Sequence, residues 1–221
     1  AFVGLMDDVK RLLQFAFQTR NELTIPLSAP GSAGMEAAFV NLLEPGDTAI
    51  VCQNGVFGGR MKENVERCGA TAVMVQDRWG DPVNPEKVSA AIQANPHAKV
   101  LAFVHAETST GAHQPLVNIS KSAHDAGMLF LVDSVTSLGG HELQVDEWGI
   151  DAIYSGTQKN LSCPPGLSPV SFSDRALEVM EARKTKVKSW YLDVSMLRDW
   201  RIMIQVSSLP NQLLKRILLF V

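Results

Sequence analysis

Asp133 and Lys159 each follow a short apolar segment, and their side chains could together do cofactor chemistry. Asp133 ends the run Leu129–Asp133, and Lys159 comes shortly after Ile153–Ser155. A carboxylate is costly to bury unless it meets a partner, such as the cation of a cofactor. A lysine amine can form an imine where burial and neighbouring charge make it nucleophilic. Taken singly, Asp133 is more typical of a turn or a helix N-cap, and Lys159 of a solvated surface charge.

Two further loops offer contacts to a ligand. The loop Pro30–Glu36 contains Gly31, Ser32 and Ala33 and leads into a helical stripe, so its backbone N–H groups could face an anion. Ser32 could either cap that helix or bind a phosphate oxygen. Such a small-residue loop is a weak signal by itself. Phe57 lies near three glycines, and a cofactor contact and a core position explain it about equally well.

These residues would be positioned by apolar runs that alternate with helical patterns. The runs predict strands over 23–28, 48–52, 71–75, 99–104, 128–132, 151–155 and 168–172. The helical patterns cover 5–17, 32–43, 57–68, 85–94, 118–126 and 174–183. Strands that alternate with helices and are apolar on both faces predict an α/β fold. We expect three αβα layers built on a mainly parallel, seven-stranded sheet.

In such a sheet, ligands bind in the crevice at the carboxyl ends of the strands. Asp133 and Lys159 follow successive predicted strands there, where they could hold the two ends of one flat cofactor. Pyridoxal 5'-phosphate (PLP) requires such a pair, because a lysine forms the imine and an acid keeps the pyridine nitrogen protonated. The sequence therefore predicts PLP as the cofactor, with Lys159 and Asp133 as catalytic residues.

Composition excludes several other classes of protein. The chain has 221 residues, 46% of them hydrophobic and 19% charged, as in an ordinary globular domain. A net charge of −3 without a basic block argues against nucleic acid and anionic membrane as partners. No apolar run reaches the ~18–20 residues of a membrane span, and the first residues lack a signal-peptide pattern. Three scattered cysteines form no disulfide framework, so we expect an intracellular protein.

The sequence also lacks the motifs of competing site chemistries. The five histidines have no metal-ligand spacing, so no metal site is predicted. There is neither the GxSxG elbow of hydrolases nor the GxxxxGK[ST] loop of nucleotide-binding proteins.

The sequence resembles the class-V (fold type I) PLP aminotransferases, in particular the alanine–glyoxylate and serine–pyruvate branch. The resemblance rests on the stretches Met35–Asp47, His105–Gly111, Val132–Gly140 and Tyr154–Ser173. It implies that residues 1–200 form a PLP-binding large domain with an incomplete N-terminal arm. It also implies that residues 201–221 form an atypical helical tail, and that the small C-terminal domain is missing.

The resemblance implies a role for each site residue. Lys159 would form the imine and shuttle the proton, and Asp133 would pair with the pyridinium nitrogen. The other implied contacts are Val135 under the ring, Phe57 stacked on the opposite face, Thr108 at the ring hydroxyl, and Gly31, Ser32, Ala33 and Gln158 around the phosphate. Relatives often carry Trp in place of Phe57, and a polar residue in place of Ala33.

Gln158 favours the aminotransferase branch, because cysteine desulfurases of the same fold typically place His before the lysine. The implied activity is transfer of an amino group from alanine or serine to glyoxylate or pyruvate, by a homodimer. Two alternatives stay open: a kynurenine-type transaminase, and a truncated variant that binds PLP or a full-length partner without turnover. Relatives occur in peroxisomes and mitochondria, although Leu218–Val221 is not a peroxisomal signal.

Overall fold

The computed structural model describes residues 2–197 as alternating helices and strands. The helices are α1 Phe2–Phe17, α2 Gly31–Leu42, α3 Val56–Arg67, α4 Pro85–Ala94, α5 Val117–Asp125 and α6 Asp174–Glu181, followed by a 3-10 turn at Val194–Leu197. The strands are β1 Leu23–Leu27, β2 Thr48–Gln53, β3 Thr71–Gln76, β4 Val100–Val104, β5 Ala106–Glu107, β6 Ala112–His113, β7 Leu129–Asp133, β8 Ala152–Tyr154 and β9 Ser168–Phe172.

Seven strands form one sheet in the order β1-β9-β8-β7-β4-β2-β3. The strands β8, β7, β4, β2 and β3 pair in parallel, whereas β9 is antiparallel to both β1 and β8. Six strands therefore run in one direction, and their carboxyl ends share one edge of the sheet. The short strands β5 and β6 form a separate hairpin just beyond β4.

Helices cover both faces of the sheet. On one face, α2, α3 and α6 pack in a core cluster with Leu129, Leu131 and Tyr154. On the other face, α1, α4 and α5 pack in a second cluster with Phe130 and Val132. Successive residues of β7 thus face opposite apolar layers, which is why its sequence is continuously apolar. The predicted three-layer fold with a mainly parallel, seven-stranded sheet is confirmed.

The predicted elements agree with the observed ones to within a few residues, but the β5–β6 hairpin was not predicted. Its strands are only two residues long, too short for a periodic pattern. The predicted helical tail at 201–221 lies outside the described residues. Within 2–197, no helix combines the length and apolar character that crossing a membrane requires.

The backbone of α2 lies directly on the sheet at Gly34, and this contact gives a test of the packing. A Cβ atom at Gly34 would lie 3.0 Å from Tyr154 Cβ and 3.3 Å from Ser168 Cβ. We expect Gly34→Ala to lower the free energy of unfolding by about 1–3 kcal/mol, because the helix must move off the strands. In α1, a Cβ at Gly4 meets no atom within 4 Å, so Gly4→Ala should stabilise by up to ~1 kcal/mol. Urea denaturation measures the free energy of unfolding of both variants, and equal changes in the two would contradict this packing.

Candidate active site

Asp133 lies at the carboxyl end of β7 and is almost completely buried, with 3% of its surface exposed. Its Oδ1 accepts a hydrogen bond from the Val135 N–H at 2.8 Å, and the Tyr154 hydroxyl donates to Oδ2 at 2.9 Å. Tyr154 is the register partner of Asp133 on β8, so both side chains leave the sheet on the same face. Adjacent strands therefore hold the carboxylate in one orientation.

The surroundings of Asp133 make its charged form costly when no cation is present. Burial raises the pKa of Asp133 to about 6, and the negative charge of Glu107 acts in the same direction. The hydrogen bonds from Val135 and Tyr154 oppose this shift but do not cancel it. Burial and the charge of Asp133 raise the pKa of Tyr154, so its hydroxyl remains a donor. A positively charged ligand group beside Asp133 would therefore stabilise the charged form of this carboxylate.

Val135 and the N-terminus of α2 form a narrow cradle with the loop after β8. A Cβ at Gly31 would lie 3.1 Å from Val135 Cγ2 and 3.4 Å from the Ser155 carbonyl oxygen. A Cβ at Gly156 would lie 3.0 Å from Gln158 Oε1 and 3.5 Å from Val135 Cγ1. The absence of a side chain at Gly31 and Gly156 therefore lets the start of α2 and the loop after β8 approach Val135 closely.

The helix α2 begins at Gly31, one residue before the predicted start. Pro30 occupies the N-cap position and provides no side-chain cap, so Ser32 does not cap α2 but lies in its first turn. The Ala33 N–H donates to the Pro30 carbonyl oxygen at 2.8 Å, and the Ala33 methyl packs against the core. Gly31 and Ser32 are consequently the first-turn residues whose N–H groups could face an anion.

Lys159 lies exposed on the loop between β8 and β9, between Gln158 and Asn160. Gln158 places its side chain near Gly156, and Asn160 donates through Nδ2 to the Thr136 carbonyl oxygen at 2.5 Å. The predicted site requires a lysine at the carboxyl edge of the sheet, and the structure places Lys159 there. Its side chain is not buried by the described residues, in contrast to the environment expected for a nucleophilic lysine.

Thr108 and Phe57 lie on two loops that adjoin the same edge. The Thr108 hydroxyl is hydrogen-bonded to the hydroxyl of Thr136, next to Val135. Phe57 is partly buried at the start of α3, and its N–H donates to Glu107 Oε2 at 3.0 Å. The Arg60 guanidinium lies 4.7 Å from the centroid of the Phe57 ring, a cation–π contact that the sequence did not predict.

Sequence reasoning also missed the polar residues that support the site. Tyr154 could have been found from strand register, because it stands opposite Asp133 once β7 and β8 are paired. Glu107 ends the two-residue strand β5, whereas Thr136 and Asn160 lie on turns, and the tertiary contacts of all three leave no periodic signal in the sequence. Glu107 is 1% exposed, and a buried acid of this kind is recognisable only after folding.

Three histidines that are scattered in the sequence gather on the opposite side of the sheet from Asp133. The His113 ring centroid lies 4.7 Å from those of His105 and His141, and Trp148 packs on His105 at 5.7 Å. Burial and the neighbouring histidines lower the pKa of His105 to about 4, so it is uncharged at neutral pH. Within residues 2–197, no group of three or more His, Cys, Asp or Glu side chains is arranged to hold a metal ion.

The groups at the carboxyl edge complement a flat ligand with an anion at one end and a basic ring nitrogen at the other. The open N-terminus of α2 suits the anion, and buried Asp133 suits the protonated nitrogen. Val135 and Phe57 offer apolar surface for the ring, and Lys159 offers a free amine. PLP has this chemistry, and Gly31 lets the start of α2 lie close to Val135, the residue that donates to Asp133.

The sequence matches the family model described as Aminotransferase class-V over residues 3–202. It is 46% identical over 197 residues to an alanine–glyoxylate aminotransferase from Oryctolagus cuniculus, covering 88% of this chain and 50% of that protein. It is 36% identical to an (S)-ureidoglycine–glyoxylate transaminase from Bacillus subtilis, covering 90% and 52% respectively. The solved structure of an alanine–glyoxylate aminotransferase from Nostoc sp. matches with a TM-score of 0.88 at 43% identity, over 90% of this chain and 52% of that chain. The chain spans about half the length of the curated relatives it matches.

Asp133 should give the cofactor-free protein a characteristic pH dependence of stability. Its pKa of about 6 in the folded chain exceeds the ~3.9 of an unfolded aspartate, so the folded state binds more protons between these values. The contribution of Asp133 to the free energy of unfolding therefore falls by about 3 kcal/mol as pH rises from below 4 to above 6. In Asp133→Asn, the amide can accept from Val135 and donate to the Tyr154 oxygen, so both hydrogen bonds survive without the charge.

Urea denaturation across pH 4–8 measures the difference between Asp133→Asn and the parent chain. We expect the variant to gain stability relative to the parent as pH rises, with most of the gain between pH 4 and 7. Asp81→Asn, at an exposed carboxylate, controls for loss of an acid as such. A difference that is constant with pH would contradict the assignment.

Proposed function

Since the chain belongs to the class-V aminotransferase family, we propose that it is the cofactor-binding part of a PLP-dependent transaminase. The reaction would move an amino group from a small amino acid, alanine or serine, to a 2-oxo acid, glyoxylate or pyruvate. The observation that carries this proposal is Asp133, a buried carboxylate beside an open helix N-terminus and a free lysine.

The chain's own residues would hold the cofactor by its two ends and its two faces. Bound PLP supplies an electron sink for the carbon that loses its proton. Asp133 would keep a proton on the pyridine nitrogen, held in orientation by Tyr154 and the Val135 N–H. The remaining contacts would be Gly31, Ser32 and Gln158 at the phosphate, Thr108 at the ring hydroxyl, and Val135 and Phe57 on the ring faces.

Lys159 would have two roles, covalent attachment of the cofactor and transfer of the substrate's α-proton. Both need an amine that can reach the ring and then move away from it. Asn160 ties the loop to the Thr136 carbonyl oxygen, and the exposed Lys159 side chain extends from that loop. The assignment is supported by the position of Lys159 after β8, at the same edge of the sheet as Asp133, and not by its burial.

The activities for which two relatives are named bear on the substrates. Alanine–glyoxylate aminotransferase and (S)-ureidoglycine–glyoxylate transaminase differ in the amino donor and share glyoxylate as the acceptor. We therefore infer glyoxylate as the better supported acceptor for this chain, with alanine as the first donor to test.

Cofactor binding is the direct test of this function. Titration of the chain with PLP should produce an absorption band in the visible-violet range, and borohydride followed by peptide mapping should find the cofactor on Lys159. Lys159→Ala should lose the band, whereas Lys186→Ala, at another exposed lysine, should keep it. Where the loaded chain converts alanine and glyoxylate, Asp133→Ala should slow the reaction at least about 100-fold, because the ring then loses its electrostatic support.

The possible results separate the two leading functions. A folded chain that gives no band, or labelling of another lysine, would contradict the PLP assignment. A band on Lys159 that alanine and glyoxylate leave unchanged would instead support a binding protein without turnover.

A further inference from the structure

Glu107 is a buried acid beside the candidate site to which neither the sequence analysis nor the proposed chemistry gives a role. It ends the short strand β5, and only 1% of its surface is exposed. Both carboxylate oxygens accept hydrogen bonds: Oε2 from the Phe57 N–H at 3.0 Å, and Oε1 from the Ser109 N–H at 3.1 Å and hydroxyl at 2.7 Å. Burying a carboxylate is costly, so this degree of hydrogen bonding indicates a defined role.

The first turn of α3 is capped by these residues from a distant part of the chain. Gly55 occupies the N-cap position and makes no side-chain cap. The first two N–H groups of α3 are bound instead by the loop after β5, Val56 by Ser109 Oγ at 3.0 Å and Phe57 by Glu107. The negative charge of Glu107 also lies at the positive end of the helix dipole. Glu107 thus fixes both the position and the direction of the start of α3.

Close packing against Glu107 explains the glycine before α3. A Cβ at Gly55 would overlap the Glu107 side chain and would lie 2.7 Å from Ser109 Oγ. The backbone of Gly55 is extended and unstrained, so the glycine is required by this approach and not by its conformation. The capping contact is therefore built into both segments of the chain.

Glu107 joins the two loops that carry Phe57 and Thr108. Phe57 is bound through its N–H, and Thr108 lies between Glu107 and Ser109, with its hydroxyl bonded to that of Thr136. We propose that Glu107 is a positioning residue, which clamps the start of α3 to the loop after β5 and so sets Phe57 and Thr108 against the cofactor. This inference rests on the proposed function, because those two residues matter only if a flat cofactor lies between the loops.

The charge of Glu107 adds an electrostatic effect to this geometry. It contributes to the raised pKa of Asp133, after the larger effect of burial. A negative charge near Asp133 favours a proton or a cation at that end of the site. Glu107 thereby supports Asp133 in holding a protonated ring nitrogen, without contact between the two carboxylates.

The test compares Glu107→Gln with Asp151→Asn. Asp151 is an equally buried acid, 2% exposed, that lies just before β8 at the opposite edge of the sheet. Its carboxylate is hydrogen-bonded to His124, Ser173 and Arg175. In the cofactor-free chain, carbon-13 NMR should show that Glu107→Gln lowers the pKa of Asp133 from about 6, whereas Asp151→Asn leaves it unchanged. Glu107→Gln should also weaken PLP binding at least about 10-fold, and Asp151→Asn should not, even where both lose stability.

A double-mutant cycle with Phe57→Leu tests whether Glu107 acts through Phe57. The loss of PLP affinity caused by Glu107→Gln should shrink several-fold when Phe57 is already replaced. If Glu107→Gln does not fold, Ser109→Ala replaces it, since it removes one donor to Glu107 and the acceptor of the Val56 N–H. Ser109→Ala should weaken PLP binding several-fold and leave the pKa of Asp133 unchanged.

The outcomes distinguish this proposal from the function on which it rests. If the parent chain binds PLP, and Glu107→Gln or its substitute Ser109→Ala binds it equally well, the role of Glu107 is overturned and the function stands. Additive effects of Glu107→Gln and Phe57→Leu would also overturn it. A parent chain that never binds PLP overturns the function, and the positioning role falls with it.

Discussion

The candidate site depends on one buried carboxylate, Asp133, whose charged form requires a neighbouring cation. Asp133 ends a strand in the middle of the sheet, where water cannot stabilise its charge, and its two protein hydrogen bonds only partly compensate. The resulting preference for a proton or a cation is the strongest chemical demand at this edge of the sheet. The hydrogen bonds from Tyr154 and Val135 fix the orientation of the Asp133 carboxylate.

The topology of the sheet brings the other groups to Asp133. Six strands run in the same direction, so the loops after β1, β2, β4, β7 and β8 meet at one edge. Glycines at 31 and 156 let the start of α2 and the loop after β8 pack closely on Val135, since a Cβ there would lie 3.1 and 3.5 Å from its methyl carbons. The core clusters on the two faces make this edge rigid, which a site held by loops from five strands needs.

Much of the fold and part of the site could be predicted from the sequence. Buried parallel strands such as β4 and β7 are short apolar runs between turn residues, and periodicity detects them directly. Asp133 and Lys159 are predicted as site residues because each follows such a run, and their roles stay a prediction. Tyr154 and Glu107 could not be identified in this way, since their roles come from strand register and from a contact between residues 50 positions apart. The start of α2 was also placed one residue late, because Ser32 is a common helix cap whereas Pro30 provides none.

We propose that Asp133 holds a proton on the ring nitrogen of PLP. Nitrogen-15 NMR of the chain loaded with ring-labelled PLP measures the protonation of that nitrogen. We expect a protonated pyridine nitrogen across neutral pH, and an unprotonated one in Asp133→Ala. An unprotonated nitrogen in the parent chain, or a protonated one that persists in Asp133→Ala, would contradict it.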